Sequence, residues 1–212
     1  MAWRDSSGRE LADYPHPSLA VDVALLTLTG DMRLAVLLHE KRDGLWSLPG
    51  TFVRMTERLR DSALRALREK AGVTGHEPEQ LRVFDELDRD DRGRVISVAH
   101  VDLVPLRELG PTSATLVPVA SLPELAFDHD DIVAAAVAWA RAEYRERPDP
   151  RRLVGEEFTL LELQRVHEAV LGVPLQKDTF RRRMIDRLDD TGRLSRGGVG
   201  KPARVFRRAP DE

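Results

Sequence analysis

The 212-residue chain contains no cysteine. Disulfides and thiolate metal sites are therefore excluded, and a reducing cytoplasm is the expected location. No run approaches the ~20 apolar residues that a membrane helix needs. The longest candidate, Ile132 to Ala142, is short and Ala-rich. Trp3, Arg4, Asp5 and Glu10 occupy the N-terminus where a secretion signal would carry an apolar core, so no signal is expected. Internal repeats and low-complexity tracts are also missing. What remains is 42% hydrophobic and 33% charged, the balance of a globular protein long enough for one medium domain and a small one.

The formal net charge of −3 conceals an asymmetry. Residues from 150 onward hold fourteen basic and ten acidic side chains, and residues 177–208 hold eleven against four. The body is acidic. A basic C-terminal end predicts an anionic partner there, provided the charges are organised on one surface and are not merely a solvated face.

Arg147-Pro148-Asp149-Pro150 stops a helix and suits a linker. Before it, the pattern predicts strands over Leu19–Leu28, Leu34–Leu38, Leu81–Glu86 and Val95–Val104. Helices are predicted over Asp61–Ala71, with Gly72 as its C-terminal stop, and over Asp130–Arg147. Asp22 interrupts the first strand's apolar run. After the linker, Thr159 and Glu162 form a Thr-x-x-Glu capping box for a helix over Phe158–Leu171. A second helix is predicted over Asp178–Asp190, with Phe180, Met184, Ile185 and Leu188 on its apolar face and Arg181, Arg182, Arg183 and Arg187 largely off it. Strands near Arg193–Ser195 and Arg204–Arg208 flank a basic Gly-rich loop, Arg196 to Ala203. Helix, turn, helix and hairpin make a winged helix.

The segment Leu45-Trp-Ser-Leu-Pro-Gly-Thr-Phe-Val53, followed by Glu57, Arg65, Glu69, Gly72 and Val73, resembles the signature of Nudix hydrolases. Thr51 stands where the family has glycine, and Ala66 and Lys70 stand where it has glutamates. Positions 66, 69 and 70 are spaced to share one helix face. Three carboxylates there would hold hard divalent cations that neutralise a pyrophosphate and activate water. Ala, Glu and Lys supply one carboxylate and a fixed positive charge that attracts phosphate. The expectation is binding without turnover: no catalytic residue, no resident metal and no required cofactor.

Nearly the whole chain is similar to one subgroup, the Nudix-related transcriptional regulators of NAD metabolism, or NrtR family. The likeness is carried by Tyr14-Pro-His-Pro-Ser-Leu-Ala-Val-Asp-Val23, Asp88 to Val98, Leu125-Ala-Phe-Asp-His129, Phe158-Thr-Leu-x-Glu-Leu-Gln164, Phe180-Arg-Arg-Arg-Met184 and Gly200 to Arg207. The resemblance implies an α+β chain. A Nudix-type α/β/α sandwich over 1–148 would bind effector and dimerise, and a small winged helix-turn-helix domain over 149–212 would bind DNA. It further implies a homodimeric repressor of NAD-biosynthesis or salvage genes, released from a palindromic operator by ADP-ribose or a related nucleotide.

Arg42, Trp46, Arg54, Glu57, Glu69, Lys70 and Arg89 are the candidate effector contacts. Lys177, Thr179, Arg181, Arg182, Arg183, Lys201 and Arg204 are the candidate DNA contacts, since arginine pairs with guanine and phosphate in a fork. Arg92 and Arg94 are further arginines suited to a diphosphate, Arg4 and Arg9 could reach DNA if the first ten or so residues form an arm, which the sequence leaves open, and His167 is read as a histidine on a helix face. Two alternatives stay open. One is an active pyrophosphatase acting on ADP-ribose with an accessory winged helix; the other is a winged helix that binds protein.

Overall fold

The computed structural model describes residues 3–41, 44–195 and 202–210. Arg42 and Lys201 lie outside the described residues. Strand β1 (Ser18–Leu28) is the axis of a seven-stranded mixed sheet. It pairs antiparallel with β2 (Leu34–Glu40) along its C-terminal half, and β2 carries both β3 (Trp46–Ser47) and β7 (Thr115–Pro118). Its N-terminal half pairs with β4 (Gly50–Phe52). On the other side it runs parallel to β6 (Val95–Leu103), which pairs with the edge strand β5 (Glu79–Phe84).

The two-residue period of β1 assigns the layers. Val21, Val23 and Leu25 pack with Ala63, Leu67 and Ala71 of helix α1 (Leu59–Ala71). Ala24, Leu26 and Leu28 face the opposite way, toward Ile132, Val133, Ala136, Val137, Ala140 and Tyr144 of α2 (His129–Glu146). α1 ends at Gly72, whose φ of 70° is the left-handed stop that glycine permits. Among the described residues, no helix is long and apolar enough to cross a membrane.

The C-terminal unit places α3 (Leu160–Leu171) and α4 (Lys177–Met184) against a three-stranded sheet ordered β8 (Phe158–Thr159), β10 (Arg204–Arg208), β9 (Leu188–Leu194). The predicted capping box is present: Thr159 Oγ1 accepts the Glu162 N–H at 3.3 Å, and Glu162 accepts the Thr159 N–H at 2.7 Å. Phe158, Leu163, Phe180, Met184 and Phe206 form the core. The second helix is shorter than its apolar pattern predicts. It stops at Met184, a 3-10 turn covers Ile185–Arg187, and β9 begins at Leu188. Tertiary pairing decides this: Leu188, Asp189 and Asp190 sit opposite Arg208, Arg207 and Phe206, and the two aspartates hold Arg207 and Arg204 at 3.3 and 2.9 Å. Leu188 still packs on the same core, but from a strand.

The expected linker is instead a buried clasp. Asp149 is fully buried with a φ of 48°. Its carboxylate accepts from the Tyr144 hydroxyl (2.6 Å), the Leu153 and Val154 N–H groups (both 2.9 Å) and Arg208 (2.5 Å). A proline-bracketed aspartate looks like a solvated connector in sequence. Here four donors converge on it from both units and offset its desolvation.

Candidate ligand cleft and nucleic-acid interface

A cleft of about 290 Å³ opens where β1, β4, β6 and the start of α2 meet. Its floor is a buried polar cluster around Asp22. Ser97 Oγ donates to Asp22 at 2.6 Å, His129 Nε2 lies 3.3 Å from it and Arg89 3.6 Å. Leu48 N–H donates to His129 Nδ1 at 3.0 Å. That nitrogen is therefore unprotonated, and Nε2 carries the proton toward Asp22. Burial alone would raise the Asp22 carboxyl, but His129, Ser97 and Arg89 hold it below the usual carboxylate range. Gly50 closes over this cluster, since a Cβ on it would sit 2.0 Å from Asp22 Oδ1. This is the physical requirement behind the glycine of the Leu48-Pro49-Gly50 turn.

The walls are aromatic and cationic. Phe127, held at a φ of 60°, and the half-exposed Phe52 face the cleft. The Arg92 guanidinium lies 5.0 Å from the Phe127 ring and 5.5 Å from that of Phe52, while Asp90 orients it through a 2.7 Å ion pair. Lys41 Nζ lies 4.6 Å from the same Phe127 ring. Lys70 and His39 complete the lining, and burial, helped by the positive charge of Lys70, lowers the pKa of His39. Flat rings beside several cations suit a ligand with an aromatic base and a phosphate chain.

The structure distributes the sequence candidates unevenly. Lys70 and Arg89 line the cleft, although Arg89 is spent on a bidentate pair with Asp128 at 2.6 and 2.8 Å. Trp46 is half-buried against the main core and does not line the cleft. Glu57 is engaged by Arg65 through both carboxylate oxygens at 2.8 Å and by Ser62 at 2.8 Å, which holds its pKa at about 2. Arg65 also donates to Thr51 Oγ1 and the Phe52 carbonyl, stapling the loop to α1. Arg54 is exposed 3.5 Å from Glu57, and Glu69 lies 3.6 Å from Arg65. Ala66 is fully buried.

Asp22, His39, Lys41, Phe52, Phe127 and His129 are cleft residues outside the sequence candidates. The signals were the lone aspartate in an apolar strand and the Ala-Phe-Asp-His run before α2. Arg92 joins the cleft, whereas Arg94 is turned onto the carbonyls of Asp85 and Glu86. Arg4 is tied to Glu10 at 2.5 Å.

On the other unit, Lys177, Thr179, Arg181, Arg182 and Arg183 are all exposed on α4. Among the described residues, Lys177, Arg181 and Arg182 have no ion-pair partner. Arg183 turns back to donate to the Arg145 carbonyl at 3.3 Å, and Arg204 pairs with Asp190. Gln176 caps the helix by accepting the Thr179 N–H at 2.6 Å. His167 is completely buried: it accepts the Asp149 N–H at Nε2 (3.2 Å) and donates from Nδ1 to the Tyr144 carbonyl (2.9 Å).

The model of the NrtR DNA-binding winged helix domain matches residues 150–208. The ADPR responsive transcriptional repressor NtrR of Acinetobacter baylyi is 32% identical, over 92% of this chain and 84% of that protein. The chain belongs to the NrtR family. Shewanella oneidensis NrtR, solved in complex with a 27mer DNA, superposes with a TM-score of 0.73 at 34% identity, covering 91% of this chain and 94% of that one. The NUDIX domain of the same Shewanella protein, solved with ADP ribose, is 29% identical, covers 63% of this chain and 94% of that one, and has a TM-score of 0.54. An ADP-ribose pyrophosphatase of Methanocaldococcus jannaschii is 31% identical over 59% of this chain and 76% of its own length. A Nudix fold followed by a winged helix is thus common to this chain and its NrtR relatives.

Proposed function

We propose that this chain is a DNA-binding transcriptional repressor whose grip on its operator is released by ADP-ribose or a related NAD-derived nucleotide, and that its targets are genes of NAD biosynthesis or salvage. The observation that carries this reading is the union in one chain of an aromatic, cationic cleft with an arginine-faced helix at the front of a winged helix. In the division of labour we propose, residues 1–148 take the effector and dimerise, and residues 149–212 bind DNA.

The diphosphate meets Lys70 and Lys41, and the base packs on Phe52 or Phe127 beside Arg92. The N-terminal end of α4 enters the major groove. Lys177, Thr179, Arg181 and Arg182 approach the bases and phosphates, with Arg204 on the wing. A two-fold dimer reads a palindrome, and large apolar side chains left exposed on the N-terminal unit, Leu19, Met55, Val83 and Leu87, are surface for such an association. Fluorescence anisotropy with DNA from upstream of the gene tests the reading. Binding that weakens on adding ADP-ribose is expected; unchanged affinity at saturating nucleotide refutes it.

The same reading makes the cleft a sensor without turnover. The donor set does not suit a divalent cation: position 66 is a buried alanine, position 70 a lysine, and Glu57 is occupied by Arg65. The pyrophosphatase relative favours the competing reading of an active enzyme. AMP release from ADP-ribose with Mg²⁺ or Mn²⁺, abolished by Glu69→Gln, would establish that reading; no release is expected.

A further inference from the structure

Helix α2 is one unbroken rod of 18 residues, about 27 Å long at 1.5 Å per residue. Its two ends are built into the two sites already described. At the N-terminal end, Phe127 is a wall of the cleft, Asp128 is the N-cap that clasps Arg89, and His129 is fixed between Leu48 and Asp22. Any ligand filling the cleft meets this end.

At the C-terminal end the last carbonyls of a helix lack intrahelical partners and carry its negative partial charge. Here they are taken up by the DNA-binding unit. The Tyr144 carbonyl accepts from His167 of α3 at 2.9 Å, the Arg145 carbonyl from Arg183 of α4 at 3.3 Å, and the Glu146 carbonyl from Arg187 of the turn that follows α4. An edge-to-face ring series, Tyr144 to His167 to Phe180, both steps 5.1 Å, joins the same helix end to the buried side of α4. α4 has only eight residues. Phe180 and Met184 seat its apolar side in the core of its own unit, and Arg183 and Arg187 tie it to α2.

We propose that Arg183 and Arg187 are positioning residues that hang α4 from the C-terminal carbonyls of α2, and that the cleft acts on DNA binding through this rod. This rests on the cleft being the effector site. A nucleotide that engages Phe127 or displaces Asp128 from Arg89 changes the seat of the N-terminal end. Because a helix is stiff along its axis, the change reaches Arg145 and Glu146, and the guanidiniums carry it to α4. Arg181 and Arg182, which among the described residues make no hydrogen bond or ion pair to α2, remain the DNA readers of that helix.

The test measures operator affinity of the full chain with and without saturating ADP-ribose, and takes the ratio. For the wild type a ratio in the usual range for coupled sites, about 5- to 150-fold, is expected. The Arg183→Ala/Arg187→Ala double variant is expected to fall to within about twofold of unity, while Arg182→Ala weakens DNA binding equally in both states and keeps the wild-type ratio. ADP-ribose binding to the DNA-free double variant, measured by calorimetry, shows that the cleft is intact. Should the double variant bind DNA too weakly for a ratio, hydrogen exchange of the α4 amides reports instead: a nucleotide-dependent change in the wild type is expected to vanish in the variant. A double variant that keeps the full ratio, or the full exchange response, overturns the proposal and leaves the repressor reading standing. A wild type indifferent to ADP-ribose overturns both.

Discussion

Asp22 is a carboxylate placed inside an apolar strand, and it survives there because Ser97, His129 and Arg89 converge on it. Gly50 is fixed by the same cluster. Gly50→Ala drives a methyl into Asp22 Oδ1 and to 3.1 Å from the Val21 carbonyl, and should destabilise the fold by about 1–3 kcal/mol, the usual cost of overpacking. Urea denaturation reads this directly, and an unchanged midpoint would contradict the close approach.

His167 makes a second prediction at this scale. Burial lowers its pKa from 6.5 to about 4. Between those values the unfolded chain binds a proton that the folded chain refuses, so stability rises with pH across the window and falls as pH drops from 6.5 toward 4. The full effect is on the order of 3 kcal/mol, from about 1.4 kcal/mol per pKa unit. His167→Gln should flatten this limb in denaturation curves taken at pH 7, 6 and 5. The Asp22 carboxyl, held below its ordinary range, loses its stabilising effect only as pH falls beyond that window.

At the scale of elements, the capping box of α3 is local chemistry and behaves as such. Thr159→Ala should cost about 1 kcal/mol by freeing the Glu162 N–H, with no change in the ratio of DNA affinities with and without nucleotide. α1 is a different case. Glu57, in the loop before it, is held by Arg65 and Ser62 of the helix, whose polar edge delivers Lys70 to the cleft. Lys70→Glu replaces an attractive charge by a repulsive one and should weaken ADP-ribose binding at least tenfold, given about 1.5–3 kcal/mol for a hydrogen bond to a charged group. Calorimetry that found equal affinity would remove Lys70 from the phosphate site.

For the whole molecule, charge and connection matter more than any single contact. The acidic body and the basic DNA end share one chain, so operator binding should fall steeply with salt as phosphate contacts release counterions. If Arg182 contacts a phosphate, Arg182→Ala should reduce the slope of log affinity against log salt by about one. The Asp149 clasp, with Tyr144, His167 and Arg208 around it, makes the junction part of the core. Asp149→Ala leaves the Arg208 guanidinium and two backbone N–H groups without their acceptor. A loss of about 3–5 kcal/mol is expected on the scale of a broken buried pair, read as a lower unfolding midpoint.

Strands β1, β2, β5 and β6, the two amphipathic helices of the first unit and the capping box were legible in the sequence, because period-two and helical patterns and cap chemistry are local; the short strands β3, β4 and β7 were not, because two to four residues carry no period. So was the arginine face of α4, since three consecutive arginines beside Phe180 and Met184 leave the apolar side no other orientation. Family likeness carried the pairing of a nucleotide fold with a DNA reader. Tertiary structure alone decided the rest. Asp22, Phe127 and His129 meet only because β1, β6 and α2 cross there. Glu57 is turned from a ligand into a structural anion by Arg65, eight residues along the chain. The second helix ends at Met184 because β10 captures the residues after it. The proline-bracketed Asp149, which reads as a connector, bonds Tyr144, Leu153 and Val154 locally, but it is closed over by Arg208 and His167 from far along the chain, and spacing along a chain does not encode who arrives from elsewhere.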